Sequence, residues 1–228
     1  MGRVRAVRRG ASWRIALAAT ESPVDDGVLL PQERGLVKGA PARRLAEFAT
    51  GRHCAHTALG VLDPQLAGTP LLRDSRGAPQ WPPGVVGSVT HCEGWTGAAV
   101  ARSRGSRVGR GVAALGLDAE PIAPLPAGVL DVVASADERE VLARLGAEQS
   151  GIPWDTVLFC AKEATYKAWY PLTGIVLAHA SVEVEVSPAG TFTGVAAARD
   201  SAGREVVHRV RGRWTLGPRV VVLLGVIP

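Results

Sequence analysis

Three short pieces of this sequence have the residue types and spacing for phosphate chemistry. Gly116-Leu117-Asp118-Ala119-Glu120 ends a predicted strand, and side chains at i and i+2 of a strand project from one face. Two adjacent carboxylates are unfavourable unless a proton or cation lies between them. An oxygen pair of this kind suits Mg²⁺, which takes a few carboxylates and completes its shell with substrate phosphates. Taken alone, Asp118 and Glu120 read more plainly as a solvated strand end. The second piece is Phe159-Cys-Ala-Lys162-Glu163-Ala-Thr-Tyr166-Lys167. On a helix, Glu163 and Lys167 share a face at i,i+4, which taken alone reads more plainly as a surface ion pair. The third is Gly87-Ser88-Val-Thr90-His91-Cys-Glu-Gly94, a strand running into a Gly-punctuated loop. Hydroxyls, a ring nitrogen and backbone N–H groups at such a turn can hold phosphate.

The elements that must position these residues can be read from periodicity. A helix is expected from about Pro41 to Leu62, with Leu45, Phe48, Ala55, Leu59 and Leu62 at three- and four-residue spacing. A Pro/Gly-rich loop from Asp63 to Gly87 follows; it is long for a passive connection and so a functional suspect. Strands are expected at Val85–Thr90, Thr96–Arg102 and Val112–Glu120, then helices near Gly128–Ser135 and Asp137–Gly146. Ser135 with Glu138 would cap the second of these. A helix Trp154–Tyr170 should stop at Pro171. Strands then recur at Val182–Val186, Val206–Trp214 and Val220–Ile227, and a β-like patch lies at Trp13–Ala18. The expectation is an α+β protein of two similar lobes, 1–120 and 121–228, each a small antiparallel sheet packed with helices.

Composition narrows the function classes. The chain has 228 residues with 26 basic and 21 acidic side chains, a formal charge of +5. Such a balance suits an anionic partner. Of the basic residues only Lys38, Lys162 and Lys167 are lysines, so the second motif spends a scarce residue type twice. No apolar run reaches the roughly 18–20 residues of a membrane span. Arg14 interrupts the apolar segment near the N-terminus before it reaches the length of a signal core. A cytoplasmic protein without membrane partners is expected. Cys54, Cys92 and Cys160 are too few and too far apart for a disulfide framework or a cysteine zinc site. Arg102, Arg104, Arg107 and Arg110 could serve nucleic acid, but scattered aromatics and the lack of a binding motif argue against that partner.

In order and spacing, these motifs resemble those of the 4′-phosphopantetheinyl transferases, and in particular the monomeric, surfactin/enterobactin-type subclass with its actinobacterial members. The Phe159–Lys167 motif is matched throughout. The acidic motif carries Leu117 where Ile or Val is usual, and Ala119 between the acids. Arg76-Gly-Ala-Pro79-Gln-Trp-Pro82 resembles the family's basic-Gly-x-Pro loop, with Arg where Lys is common. Phe48-Ala-Thr-Gly-Arg52 resembles its Arg-bearing first helix. The resemblance covers about residues 40–215.

The resemblance implies two lobes related by a pseudo-twofold, with the active site in the cleft between them. It implies Mg²⁺-dependent transfer of phosphopantetheine from coenzyme A to a serine of an acidic apo acyl or peptidyl carrier protein, with release of 3′,5′-ADP. Asp118, Glu120 and Glu163 would hold the metal. Ala119 cannot, so a third protein oxygen must come from Glu120 or Glu163. Glu163 is the first choice for the base and Glu120 the second. Lys167 would face the leaving phosphate and Lys162 the pyrophosphate. His91 would hold a CoA phosphate with Arg44, Arg52 and Arg76, and with Ser88 and Thr90 as weaker candidates. The subclass is monomeric. A non-catalytic CoA- or carrier-binding module is the alternative.

Overall fold

Small side chains govern how the first half of the protein packs. In the computed structural model, which describes residues 4–7, 15–106, 111–178, 181–217 and 220–227, the N-terminal unit Met1–Leu115 is built on a four-stranded sheet. Its strands are β1 (Val4–Val7), β2 (Ile15–Thr20), β3 (Val85–Cys92) and β4 (Trp95–Arg102), in the spatial order β1-β2-β4-β3 with every pair antiparallel. After β2 comes a single turn, α1 (Pro31–Arg34), and then the long helix α2 (Ala42–Leu62). Helix α2 lies on β2 and β4, whose Ala16, Ala18, Ala98 and Val100 meet Cys54, Ala55, Ala58 and Leu59 of the helix in one buried cluster. Alanines on both surfaces let the backbones approach closely, so few atoms fill the layer at crystal-like density. Leu59 and Leu71 are fully buried, and each contributes roughly 1.5–3 kcal/mol.

The second unit, Gly116–Pro228, begins inside β5 (Ala114–Pro121). It continues through α3 (Val129–Val133), α4 (Ala136–Glu148) and α5 (Trp154–Thr173). Four more strands follow: β6 (Val182–Ser187), β7 (Thr191–Arg199), β8 (Glu205–Leu216) and β9 (Val220–Ile227). The sheet order is β5-β9-β8-β7-β6, and β6 through β9 pair antiparallel. Helix α5 packs on this sheet through Val157, Cys160, Ala161, Ala164 and Ala168, all essentially inaccessible. The boundary falls at Leu115/Gly116, five positions before the expected 120/121. At Gly116 a Cβ would drive into the Ala164 carbonyl oxygen, so the end of β5 is seated directly on α5. The whole acidic motif therefore belongs with the Glu163 helix.

Several elements differ from the sequence reading. Helix α5 does not stop before Pro171 but runs to Thr173. The proline costs one backbone hydrogen bond near the helix end, where carbonyls already lack intrahelical partners. The Thr173 hydroxyl donates to Trp169 O at 3.1 Å, and Gly174, left-handed at φ 68, closes the helix by donating to Tyr170 O at 2.8 Å. Strand β7, with its Gly-Val-Ala-Ala-Ala core, has little β propensity and was not expected. Pairing between β6 and β8 overrides that weakness. In the third motif the strand runs two residues further than expected, through His91 to Cys92, before the turn at Glu93-Gly94. The expected cap of α4 forms: Ser135 Oγ accepts from Glu138 N at 3.1 Å and Glu138 Oε2 accepts from Ser135 N at 2.8 Å. The β-like patch begins at Ile15; Trp13 and Arg14 lie outside the described residues, as do Arg107 and Arg110. No helix among the described residues is long and apolar enough to cross a membrane.

Candidate active site

In the second unit, β5 and α5 bring the acidic and lysine motifs together. Asp118 is 3% exposed, and its Oδ1 accepts a charge-assisted hydrogen bond from Lys167 Nζ at 2.6 Å. Glu120, two positions on, is half-buried. Its carboxyl is pushed up to about 7 by burial, then by the charges of Asp118 and Glu163, against which Lys167 pulls it down. The three carboxylates thus outweigh the one ammonium beside them. Cys160 packs against the same group: burial and the neighbouring Asp118 push its thiol far up, so it is an inert filler. Glu163 faces a cavity of about 170 Å³ with Lys162, Tyr166, Leu177, Ala178 and Val182. Tyr166 stacks on Tyr170 one turn along, with ring centroids 6.2 Å apart.

Lys162 has a role the sequence does not suggest. It is 3% exposed, and its Nζ lies 2.7 Å from Glu138 Oε2. Glu138 also accepts from Val184 N at 2.9 Å through Oε1. One carboxylate therefore ties α4, α5 and β6 together. The expectation that Lys162 serves the pyrophosphate meets an ammonium already neutralised inside the protein.

Among the described residues no three His, Cys, Asp or Glu side chains are gathered closely enough to hold a metal ion. In donor chemistry, Asp118, Glu120 and Glu163 fit a hard divalent cation: all are oxygen donors, and their mutual repulsion, felt at Glu120, is what such a cation relieves.

In the first unit the expected phosphate residues separate into groups. Arg52 of α2 is 4% exposed, and burial lowers it to about 10, with Arg73 and Arg44 lowering it further and Glu33 pulling it back up. Arg52 and Arg73 place their guanidinium carbons 4.4 and 4.5 Å from the centroid of the Phe48 ring. Arg44, more exposed, pairs with Glu47 at 3.3 Å. Glu47 is held below the ordinary carboxylate value first by its hydrogen bond from Arg43, with Arg44 and His91 adding to it. His91 is therefore close to the start of α2. The alternation of β3 puts Ser88 and Thr90 in the interior, at 6% and 4% exposure, and His91 outside. The two hydroxyls and the imidazole accordingly do not share a face. The structure gathers Arg73, not Arg76, with Arg44 and Arg52; Arg76 sits in an exposed turn whose amide donates to Asp74 Oδ1 at 2.9 Å.

Sequence reasoning missed Arg73, Glu33 and His56, and read Glu138 only as part of the α4 cap. The i,i+4 spacing of Arg52 and His56 was visible, but nothing local pointed Glu33 at them from 19 and 23 positions upstream.

Guanidiniums gathered in one α+β unit, and carboxylates answered by a lysine in the other, are the residue types of phosphate-group chemistry. A family model described as the 4′-phosphopantetheinyl transferase N-terminal domain matches residues 32–101, and one described as the 4′-phosphopantetheinyl transferase superfamily matches residues 114–216. The chain is 47% identical over 215 residues to 4′-phosphopantetheinyl transferase Svp of Streptomyces mobaraensis, spanning 92% of this chain and 84% of that one. Against 4′-phosphopantetheinyl transferase PptT of Mycobacterium tuberculosis it is 39% identical over 207 residues, 87% and 85% of the two chains. Against 4′-phosphopantetheinyl transferase Npt of Nocardia iowensis it is 44% identical over 169 residues, 72% and 71% of the two. The chain belongs to the 4′-phosphopantetheinyl transferase superfamily.

Proposed function

We propose that this transferase moves the phosphopantetheine arm of coenzyme A onto a serine hydroxyl of an apo acyl or peptidyl carrier protein, releasing 3′,5′-ADP, and that it needs Mg²⁺. The observation that carries this reading is the carboxylate group of buried Asp118 and partly buried Glu120 and Glu163, with Lys167 against Asp118. A site for phosphoryl transfer works mainly by positioning and charge neutralisation, and this group has the residue types for both.

Asp118, Glu120 and Glu163 would hold the metal ion, which when bound neutralises pyrophosphate charge and organises its oxygens. Glu163 takes the proton from the carrier serine hydroxyl, directly or through water, as that oxygen attacks the β-phosphorus of the CoA pyrophosphate; Glu120 is the second candidate for this proton. The bond from that phosphorus to the bridging oxygen breaks, and 3′,5′-ADP leaves with the electron pair. Lys167 neutralises the charge growing on the departing phosphate, for which its ammonium must turn from Asp118. Arg44, Arg52, Arg73 and His91 hold the nucleotide phosphates as cationic donors. Lys162 acts from within, fixing α5 through Glu138. Arg76, Ser88 and Thr90 stay secondary candidates.

The test is to incubate the purified protein with coenzyme A, Mg²⁺ and an apo carrier protein and weigh the carrier by mass spectrometry. Attachment of the arm, prevented by chelation, is the expected result. A carrier of unchanged mass at full CoA and Mg²⁺ sinks the catalytic reading in favour of a binding module.

A further inference from the structure

Glu33 is a fully buried carboxylate that the proposed chemistry does not use. Its Oε1 accepts from His56 Nε2 at 2.8 Å and from Leu71 N at 2.9 Å, and lies 3.6 Å from Arg52 Nε. Its Oε2 accepts from Leu30 N at 3.1 Å. A neutral Gln has a single acceptor oxygen, so it could keep one of the two backbone amides at most and would turn an NH₂ donor toward the other. An anion both accepts on its two oxygens and offsets a guanidinium held near two others. Arg52 is that guanidinium, facing Arg73 and Arg44.

The geometry divides Arg52 into two ends. Its Nε end is committed to the interior, donating to Leu71 O at 3.1 Å beside Glu33. Its plane is steadied by the Phe48 ring at 4.4 Å. Its Nη2 is buried and has no hydrogen-bond partner among the described residues. An unmet donor on a buried cation costs free energy until an acceptor arrives. Arg73, on the same ring, and Arg44 keep the neighbourhood cationic after Glu33 is counted. His56, one helical turn beyond Arg52 on α2, holds the shared Oε1 from the other side.

We propose that Glu33 is a positioning residue for nucleotide binding: it locks the Nε edge of Arg52 so that the opposite edge, with its Nη2 unpartnered among the described residues, is preset for a phosphate. The inference rests on the reading of Arg52 as a phosphate ligand. It asserts that the geometry Glu33 imposes outweighs the repulsion its charge exerts on the same phosphate.

Titration calorimetry with adenosine 3′,5′-bisphosphate, together with steady-state kinetics, tests this. Glu33→Gln should weaken binding about tenfold, the equivalent of about 1.4 kcal/mol. The KM for coenzyme A should rise by a similar factor, while kcat at saturating coenzyme A and the KM for the carrier change less than about twofold. In an Arg52→Ala background Glu33→Gln should add nothing, because the two act as one unit. Arg52→Lys keeps the charge but has no Nε for the inner bonds, and should lose about as much affinity as Glu33→Gln; it decides the matter where Glu33→Gln does not fold. Unchanged or tighter binding in Glu33→Gln, additive losses in the double variant, or full affinity in Arg52→Lys overturns the proposal. Unchanged binding in Arg52→Ala removes the phosphate-ligand reading itself, and the proposal falls with it.

Discussion

The two units bury charge in opposite senses. In the first, Arg52 and Arg73 converge on Phe48 with Arg44 nearby and with Glu33 and Glu47 as their counterweight, so an excess of cation remains. In the second, the charges of Asp118 and Glu163 act on Glu120 with Lys167 as the counterweight, so an excess of anion remains. Each excess costs free energy unless something of opposite sign binds. Elsewhere in the second unit the charge balances: Lys162 and Glu138 cancel with all of Glu138's hydrogen bonds going to structure. The contrast separates charges placed to bind from charges placed to brace. Arg52 and Asp118 are as buried as Lys162 and Glu138, so burial does not tell the two kinds apart; the local sum of charge does.

This contrast can be broken in four ways. Asp118→Ala removes a member of the unbalanced group and should lower transfer on the order of 10³-fold, with the circular-dichroism spectrum unchanged; full turnover in the folded variant would remove the acidic site from the mechanism. Lys162→Met leaves Glu138 charged and unpaired inside the protein, and should cost about 3–5 kcal/mol of stability by urea unfolding. Retained stability with a loss confined to turnover would instead return Lys162 to the pyrophosphate. Gly116→Ala should cost about 1–3 kcal/mol by overpacking, because the added methyl meets the Ala164 backbone rather than a side chain that can swing away. A thermal midpoint equal to wild type would mean that β5 is not seated on α5 as described.

The smallest effect is a pH dependence in the first unit. Burial alone would raise Glu33, but the His56 hydrogen bond and the Leu71 and Leu30 amides outweigh it and hold the carboxyl below 4.5. A depressed carboxyl contributes stability that is complete above its unfolded value and is lost as pH falls through the folded one. The wild type should therefore lose more stability than Glu33→Gln between about pH 5 and pH 3, as denaturant midpoints would show. Parallel losses in the two proteins would mean that Glu33 is not held as an anion.

The periodic elements and the chemistry-bearing motifs were open to inspection in the sequence, because they are local. Helices α2 and α5 follow from apolar spacing and the α4 cap from Ser135 and Glu138. Asp118 with Glu120 follows from the two-residue repeat of a strand, and Glu163 with Lys167 from one turn of helix. The scarcity of lysine marked Lys162 and Lys167 as worth keeping, without saying that one braces and the other faces the acids.

What only the tertiary structure decided is partnership across long separations. Lys167 finds Asp118 across 49 positions, and Glu138 meets Val184 across 46. Glu33 reaches Leu71 across 38. Arg73 joins Arg52 because the fold, not the motif, sets which side of the loop reaches Phe48. The strand identity of His91 came from pairing with β4, which no local turn signal could outweigh. Local chemistry is set by covalent spacing, whereas the net charge of a buried group depends on which distant side chains the packing delivers to it.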